Sequence, residues 1–223
     1  MASAFAGFTP AAFDFYEGLE SDNSKTYWLE NKQIYDDHVK AAMQTLLVSF
    51  PAPYQPWHVF RPNRDVRFAK DKSPYKTQYG AVNETDHAML HYVQLTAAGI
   101  MAASGAYMLA TDQVERFRAG VADERHGPAL EKILSARTKK GFRIDSGGAE
   151  PLKTAPRGYP KDHVRVDRLR WKGCIAVLEI TDEAAITSPS VRETILSFWK
   201  ACGPLNTWLV THVGPSDHEP NGR

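Results

Sequence analysis

Residues 90–109 read LHYVQLTAAGIMAASGAYML, and their period decides the fold class. Val93, Leu95 and Ala97 alternate with Gln94 and Thr96, the two-residue repeat of a strand with one solvated face. Ala98-Gly99 interrupts the run and residues 100–109 return as a second arm, so the stretch predicts a β-hairpin. Gly105, inside the returning arm, marks a bulge or a place where another backbone comes close. A sheet built on such a hairpin must cover its apolar face with other elements.

The flanks supply those elements. Thr9-Pro10 predicts a helix start, with the threonine hydroxyl capping and Pro10 at the first helical position, and Ala12, Phe13, Tyr16 and Leu19 falling on one side. A second helix is predicted from about Asn23 to Ser49, stopped by Pro51 and Pro53, with Tyr27, Trp28, Ile34, Tyr35, Val39, Ala42, Leu46 and Phe50 as its apolar stripe. Asn31 and His38 lie on or beside that stripe and read as polar groups satisfied at the edge of the core, the alternative being that they point into a site. Thr111 predicts a helix cap, and Asp123 opens a further helix that ends at Lys139-Lys140. Phe142 to Asp145 reads as a short strand. Residues 173–180, GCIAVLEI, form the most apolar run and predict a central strand. Ser188-Pro189 starts the last long helix, and Gly203-Pro204 breaks or restarts it. Strands and helices arrive in groups, which predicts an α+β fold: a mainly antiparallel sheet packed against helices in a single domain over residues 1–213, with 214–223 as a flexible tail.

Composition narrows the function classes. Forty-three per cent hydrophobic residues in 223 suffice for a sizeable core. No run approaches the ~20 apolar residues of a membrane span, and the start carries no basic residue ahead of its apolar part, so a cytoplasmic location without membrane contact is expected. Cys174 and Cys202, in apolar or helix-end settings, suit buried free thiols. His87 and His91 have the spacing of a helical zinc pair, but in an extended segment four residues span roughly 13 Å, so no metal role is assigned. No glycine-rich phosphate fingerprint occurs, and no cofactor is assigned.

Charge is concentrated where chemistry is expected. Residues 61–80, RPNRDVRFAKDKSPYKTQYG, hold six cations against two carboxylates, a net of +4, and residues 151–172, PLKTAPRGYPKDHVRVDRLRWK, hold seven against two, a net of +5; the whole chain is only +1. Arg64 to Phe68 alternate as a half-buried strand would, and Lys70 to Pro74 form a turn. Two such segments are predicted to meet across a common anion, with Arg67 near Arg157. The candidate ligand-binding set is Arg64, Arg67, Lys72, Tyr75 and Lys76 from the first segment and Lys153, Arg157 and Arg170 from the second. Asp162 is expected to cap a short helix through Leu169, with backbone amides near His163.

The run from Arg64 to Thr77, RDVRFAKDKSPYKT, resembles the signature of the bacterial domain of unknown function family 2461, whose members are conserved hypothetical proteins. Phe5 to Trp28, Leu152 to Arg170 and the hairpin between also resemble family segments. The family usually has paired asparagines before Trp28, where this chain has Asp22-Asn23, and a proline after the histidine at 163, where this chain has Val164. The resemblance implies no activity and no catalytic set.

The residues themselves predict a basic anion-binding site that binds or acts on a small phosphorylated or carboxylated molecule. In the enzyme version, Asp65 or Asp71 is the general base and His163 the acid. In the plainer version, the aspartates are counterions that orient arginines, the charged run is a solvated ladder, and His163 bonds the backbone at a helix start. The alternative class is a nucleic-acid-binding or protein-interaction module that uses the same cations with Tyr75, Tyr79, Tyr159 and Trp171 as ring platforms.

Overall fold

The computed structural model describes residues 4–67, 70–84 and 89–217. Six strands hydrogen-bond in the order β1-β2-β3-β4-β6-β5: β1 His58–Val59, β2 Tyr79–Glu84, β3 Met89–Thr96, β4 Gly99–Ala106, β5 Arg143–Asp145 and β6 Cys174–Ile180. β1 pairs antiparallel with β2, and β5 with β6. A Cβ added to Gly99 would meet the Ile180 carbonyl and one added to Gly105 the Cys174 carbonyl, so β4 and β6 also run in opposite directions. The α+β class with a mainly antiparallel sheet therefore stands. Both edge strands are short, which limits edge-to-edge pairing.

The hairpin is present, with its turn one residue earlier than expected, at Ala97-Ala98. Gly99 instead begins β4 at φ +130°, with the Ile180 carbonyl oxygen 2.3 Å from where a Cβ would stand. Its role is close approach between strands. Gly105, at φ +133°, does the same for β6 at Cys174.

The chain divides into two compact units, residues Met1–Asn83, Tyr92–Ala102 and Glu179–Ser197 forming the first, and Glu84–His91, Ala103–Leu178 and Phe198–Arg223 the second. The first carries α1 (Pro10–Ser21), α2 (Lys25–Glu30), α3 (Lys32–Ile34), a π-helical turn (Tyr35–Lys40) and α4 (Ala41–Ser49). Its core gathers Phe15, Tyr16, Leu19, Val39, Met43 and Leu46 against Val93 and Leu95 of the sheet, all 2% exposed or less. The single helix expected from Asn23 to Ser49 is thus interrupted. Ser24 supplies the cap by accepting from Tyr27 N, and the Asn31 side chain donates to the Tyr27 carbonyl at 2.9 Å, competing with the ladder at the end of α2. Thr9 leaves its own helix uncapped because its hydroxyl pairs with His38 Nδ1 at 2.9 Å.

The second unit carries α5 (Thr111–Ala122), α6 (His126–Thr138), α7 (Val166–Leu169) and α10 (Gly203–His212); α8 (Glu183–Thr187) lies in the first unit and α9 (Val191–Ala201) contributes to both. α5 packs on α6, α7 and α10, over Phe117, Leu130, Leu134, Leu169, Leu205 and Trp208. Thr111 is the first helical residue after an Ala110 cap position, so its expected cap is absent. Asp123 ends α5 and leads into α6, accepting from the amides of Arg125 and His126, both at 2.8 Å, while the cap position of α6 itself is Arg125, without a side-chain cap. Residues 214–217, expected to be loose, are fastened: Gln113 donates to the Gly214 carbonyl and Arg116 bonds Asp217, while Asp112 accepts from Ser216 Oγ and Asp217 N. Cys174 and Cys202 are free and buried, and burial pushes both thiols up to about 12. Among the described residues, no helix is long and apolar enough to cross a membrane and no group of three or more His, Cys, Asp or Glu could hold a metal. His87, of the His87 and His91 pair, lies outside the described residues.

Candidate anion-binding site

In the first unit, residues 62–76 leave β1 and return towards β2 as a closed loop. Arg64 N donates to the Pro74 carbonyl at 2.9 Å and Lys76 N to the Pro62 carbonyl at 2.8 Å, with an isolated antiparallel bridge between Asn63 and Tyr75. The alternating strand expected at residues 64–68 does not form over 64–67; Phe68 lies outside the described residues. Asp65 folds back instead, accepting from the Arg67 amide at 3.2 Å and from its guanidinium at 2.9 and 2.6 Å. Inside the loop, Lys72 Nζ donates to the Val66 carbonyl at 2.8 Å, and Asp71 accepts from Ser73 N and Oγ while pairing with Arg64.

The loop is anchored on the helices by one amide. Asn23 Nδ2 donates to the Tyr75 carbonyl at 3.1 Å and Asn23 Oδ1 accepts from Tyr75 N at 3.0 Å, so a side chain occupies the place of a paired strand. Trp28 stacks on the Tyr75 ring at 4.2 Å and 9°. Tyr75 is buried, which makes it part of the anchor. Asn23→Ala removes both hydrogen bonds and should lower the unfolding free energy by about 1–2 kcal/mol. It should also speed hydrogen exchange of the Arg64 and Lys76 amides by at least tenfold; unchanged exchange there would show that the loop closes without the clamp.

The charges in this loop are unequally served. Hydrogen bonds from Arg67 hold Asp65 well below the usual carboxylate range, and hydrogen bonds from Ser73, with the nearby Arg64, lower Asp71. Both aspartates are thus positioned as counterions. Lys76 lies over the Phe60 ring, its ammonium 5.2 Å from the centroid. Burial lowers the Lys76 pKa first, and Arg61 and Arg64 lower it further. Among the described residues, no carboxylate pairs with Arg61 or Lys76.

Beside Lys76 the sheet turns a polar and aromatic face outward. Val93 and Leu95 are buried on the helix side of β3, whereas Tyr92 and Gln94 alternate with them and are only half-buried. Tyr92 OH donates to Gln94 Oε1 at 2.8 Å and accepts from Gln78 Nε2 at 3.4 Å. The Phe60 and Tyr92 centroids are 6.4 Å apart, and a Cβ at Gly80 would stand 2.7 Å from Tyr92 OH, so the missing side chain lets the phenol lie on β2.

The second basic segment belongs to the second unit, and most of its cations serve the fold. Arg165, 9% exposed, donates from Nε to the Val121 carbonyl at 2.6 Å and from a terminal nitrogen to the Ala122 and Asp123 carbonyls at 3.0 and 3.2 Å, closing the C-terminal end of α5. Arg168 pairs with Glu131 at 3.0 Å and covers Trp171; Arg170 bonds the Leu152 carbonyl and reaches Asp167. His163 Nδ1 accepts from Arg165 N at 3.0 Å, which leaves the ring proton on Nε2. The helix starts at Val166 and has no side-chain cap, so the Asp162 cap is absent. Lys153 and Arg157 are exposed. Arg67 falls in the first unit and Arg157 in the second.

The family described as conserved hypothetical protein (DUF2461) matches residues 11–208. The chain belongs to it. No curated protein and no solved structure shows significant similarity. In this DUF2461 chain, Asn23 is the amide that clamps Tyr75, and Val164 stands 83% exposed ahead of α7. The expected ligand-binding set did not include Phe60, Gln78, Tyr92 and Gln94, of which Phe60 lies under Lys76 and the others are joined through Tyr92 OH. The alternation of Tyr92 and Gln94 with Val93 and Leu95 was the available signal.

Proposed function

We propose that this protein binds a small phosphorylated or carboxylated molecule at Arg61, Arg64 and Lys76. The observation that carries the reading is the grouping of these cations where the neighbouring carboxylates are already engaged, Asp71 by Arg64 and Ser73 and Asp65 by Arg67, and where, among the described residues, no carboxylate forms an ion pair with Arg61 or Lys76. A bound anion would offset the repulsion that lowers the Lys76 pKa. Arg61 and Arg64 offer planar forks for a tetrahedral or carboxylate oxyanion, and Lys76 a point charge. Binding is favoured over acid–base chemistry because Asp65 and Asp71, held as ionised counterions, are weak bases. Lys153, Arg157 and Arg170 belong to the second unit and are not part of this reading.

The test is titration calorimetry with inorganic phosphate and with citrate at low salt. Lys76→Gln and Arg61→Gln should each weaken binding about tenfold or more, as loss of a charge-assisted contact does. Arg67→Gln should change it less than twofold, since that side chain is 77% exposed and committed to Asp65. Affinity should fall as pH rises through the lowered Lys76 pKa, where the ammonium is lost. Lys76→Gln binding both anions as tightly as the parent would sink the reading. The exposure of Arg67 also favours a second reading, an acidic macromolecule on the outer loop; there Arg67→Gln would weaken binding and the salt dependence would be steep.

A further inference from the structure

Resting on the anion site just proposed, we infer that its ligand is a nucleotide unit, with the phosphate on Arg61 and Lys76 and the base read at its edge by Gln78 and Gln94 beside the Phe60 and Tyr92 rings. The polar relay across the sheet carries this. Tyr92 OH has one proton, and it goes to Gln94 Oε1 at 2.8 Å; the phenol oxygen itself accepts from Gln78 Nε2 at 3.4 Å. Each amide is thereby oriented by the phenol. Gln94 is left with its NH₂ as donor and Gln78 with its Oε1 as acceptor, and among the described residues neither of those groups has a partner.

A donor and an acceptor held on either side of a ring match a heterocycle whose edge alternates acceptor and donor, as nucleobases do. A bare phosphate or a simple carboxylate has no such edge. The rings supply the rest. Phe60 joins the two halves of the site, since Lys76 lies over its ring and Tyr92 lies 6.4 Å from its centroid, with His58 edge-on at 5.4 Å. Base–aromatic contact is sequence-tolerant, so edge reading by the two amides is what discriminates. The opposite face of β3 is closed by the core at Val93 and Leu95, which leaves the Tyr92 and Gln94 face as the side a ligand can reach.

The experiment titrates the full chain at low salt with inorganic phosphate, the four 5′-ribonucleoside monophosphates, the matching nucleosides and a tetranucleotide, read by intrinsic fluorescence and calorimetry. At least one monophosphate should bind tenfold or more tighter than phosphate. Gln94→Ala, Gln78→Ala and Tyr92→Phe should each bring that nucleotide to within threefold of phosphate while leaving phosphate binding unchanged. The tetranucleotide separates a free nucleotide from a strand, and either source supports the inference. Nucleotides and phosphate binding equally, both weakened by Lys76→Gln, would overturn the base-reading inference and leave the anion site standing. No binding of any phosphate would overturn both. Circular dichroism of each variant separates lost binding from lost structure.

Discussion

Arg165→Met should lower the free energy of unfolding by about 3 kcal/mol, the largest loss expected from any single substitution in the second basic segment. Methionine replaces the aliphatic stem of the side chain as far as Nε and keeps the packing of that part. What it deletes is a guanidinium that fills the carbonyls of Val121, Ala122 and Asp123 at the end of α5. The Val121 and Ala122 oxygens have no later turn of helix to serve them, whereas the Asp123 carbonyl also accepts from Gly127 N at 3.0 Å; a buried acceptor left without a donor costs about 1–3 kcal/mol. The Glu124 carboxylate at 3.7 Å adds little, because its side chain is 90% exposed. Gly127→Ala should reach the same place by another route, since a Cβ there would stand 2.3 Å from Arg165 Nε and 2.3 Å from the Val121 carbonyl oxygen. Urea unfolding at neutral pH measures both. A loss under 1 kcal/mol for Arg165→Met would mean that water replaces the clamp and that Arg165 has another purpose.

Acid should weaken the fold before the lowered aspartates titrate. Burial pushes His91 down to about 4 in the folded chain, against an ordinary value near 6.5. Between those values the unfolded chain binds a proton that the folded chain refuses, so stability is complete above about pH 6.5 and declines as the pH falls towards 4. The shift corresponds to roughly 3 kcal/mol. His212, lowered by burial and then by His126, whose ring lies tilted with its centroid 4.1 Å away, acts in the same direction. Asp65, Asp71, Asp112 and Asp123 are lowered and lose their contribution only at more acid pH, so the histidine window is separable. Urea midpoints at pH 4.5, 5.5 and 7.5 should fall steadily for the parent and much less for His91→Gln, whatever that variant's stability at neutral pH. Parallel slopes would remove His91 as the cause.

What could be read beforehand was whatever depends on neighbours in the chain. The alternation of Val93 and Leu95 with Gln94 marked the hairpin, the apolar run at 174–180 marked a central strand, and Asp123 marked a helix start; each is decided within a few residues. The counterion reading of Asp65 and Asp71 was equally local, since their arginines lie two and seven positions away. Residues that act across distance were not legible. Asn23 meets Tyr75 fifty-two positions later, and only the folded loop shows that an amide does the work of a strand. The π-helical turn at Tyr35–Lys40 has no propensity signal, because Tyr35 and Val39 are buried on either register. Arg165 looked like one more member of a basic run until its three carbonyls were seen to come from α5. The Gln78, Tyr92 and Gln94 relay needs β2 and β3 side by side, and no spacing in one strand announces it.

The two thiols carry a practical corollary. The chain has only Cys174 and Cys202, both enclosed and both resistant to ionisation. Maleimide chemistry at neutral pH would therefore spare the native background, so a lone sulfhydryl engineered at exposed Lys70 would take a dye cleanly. Such a conjugate turns ligand capture at the loop into an optical signal without first rebuilding the scaffold to be cysteine-free.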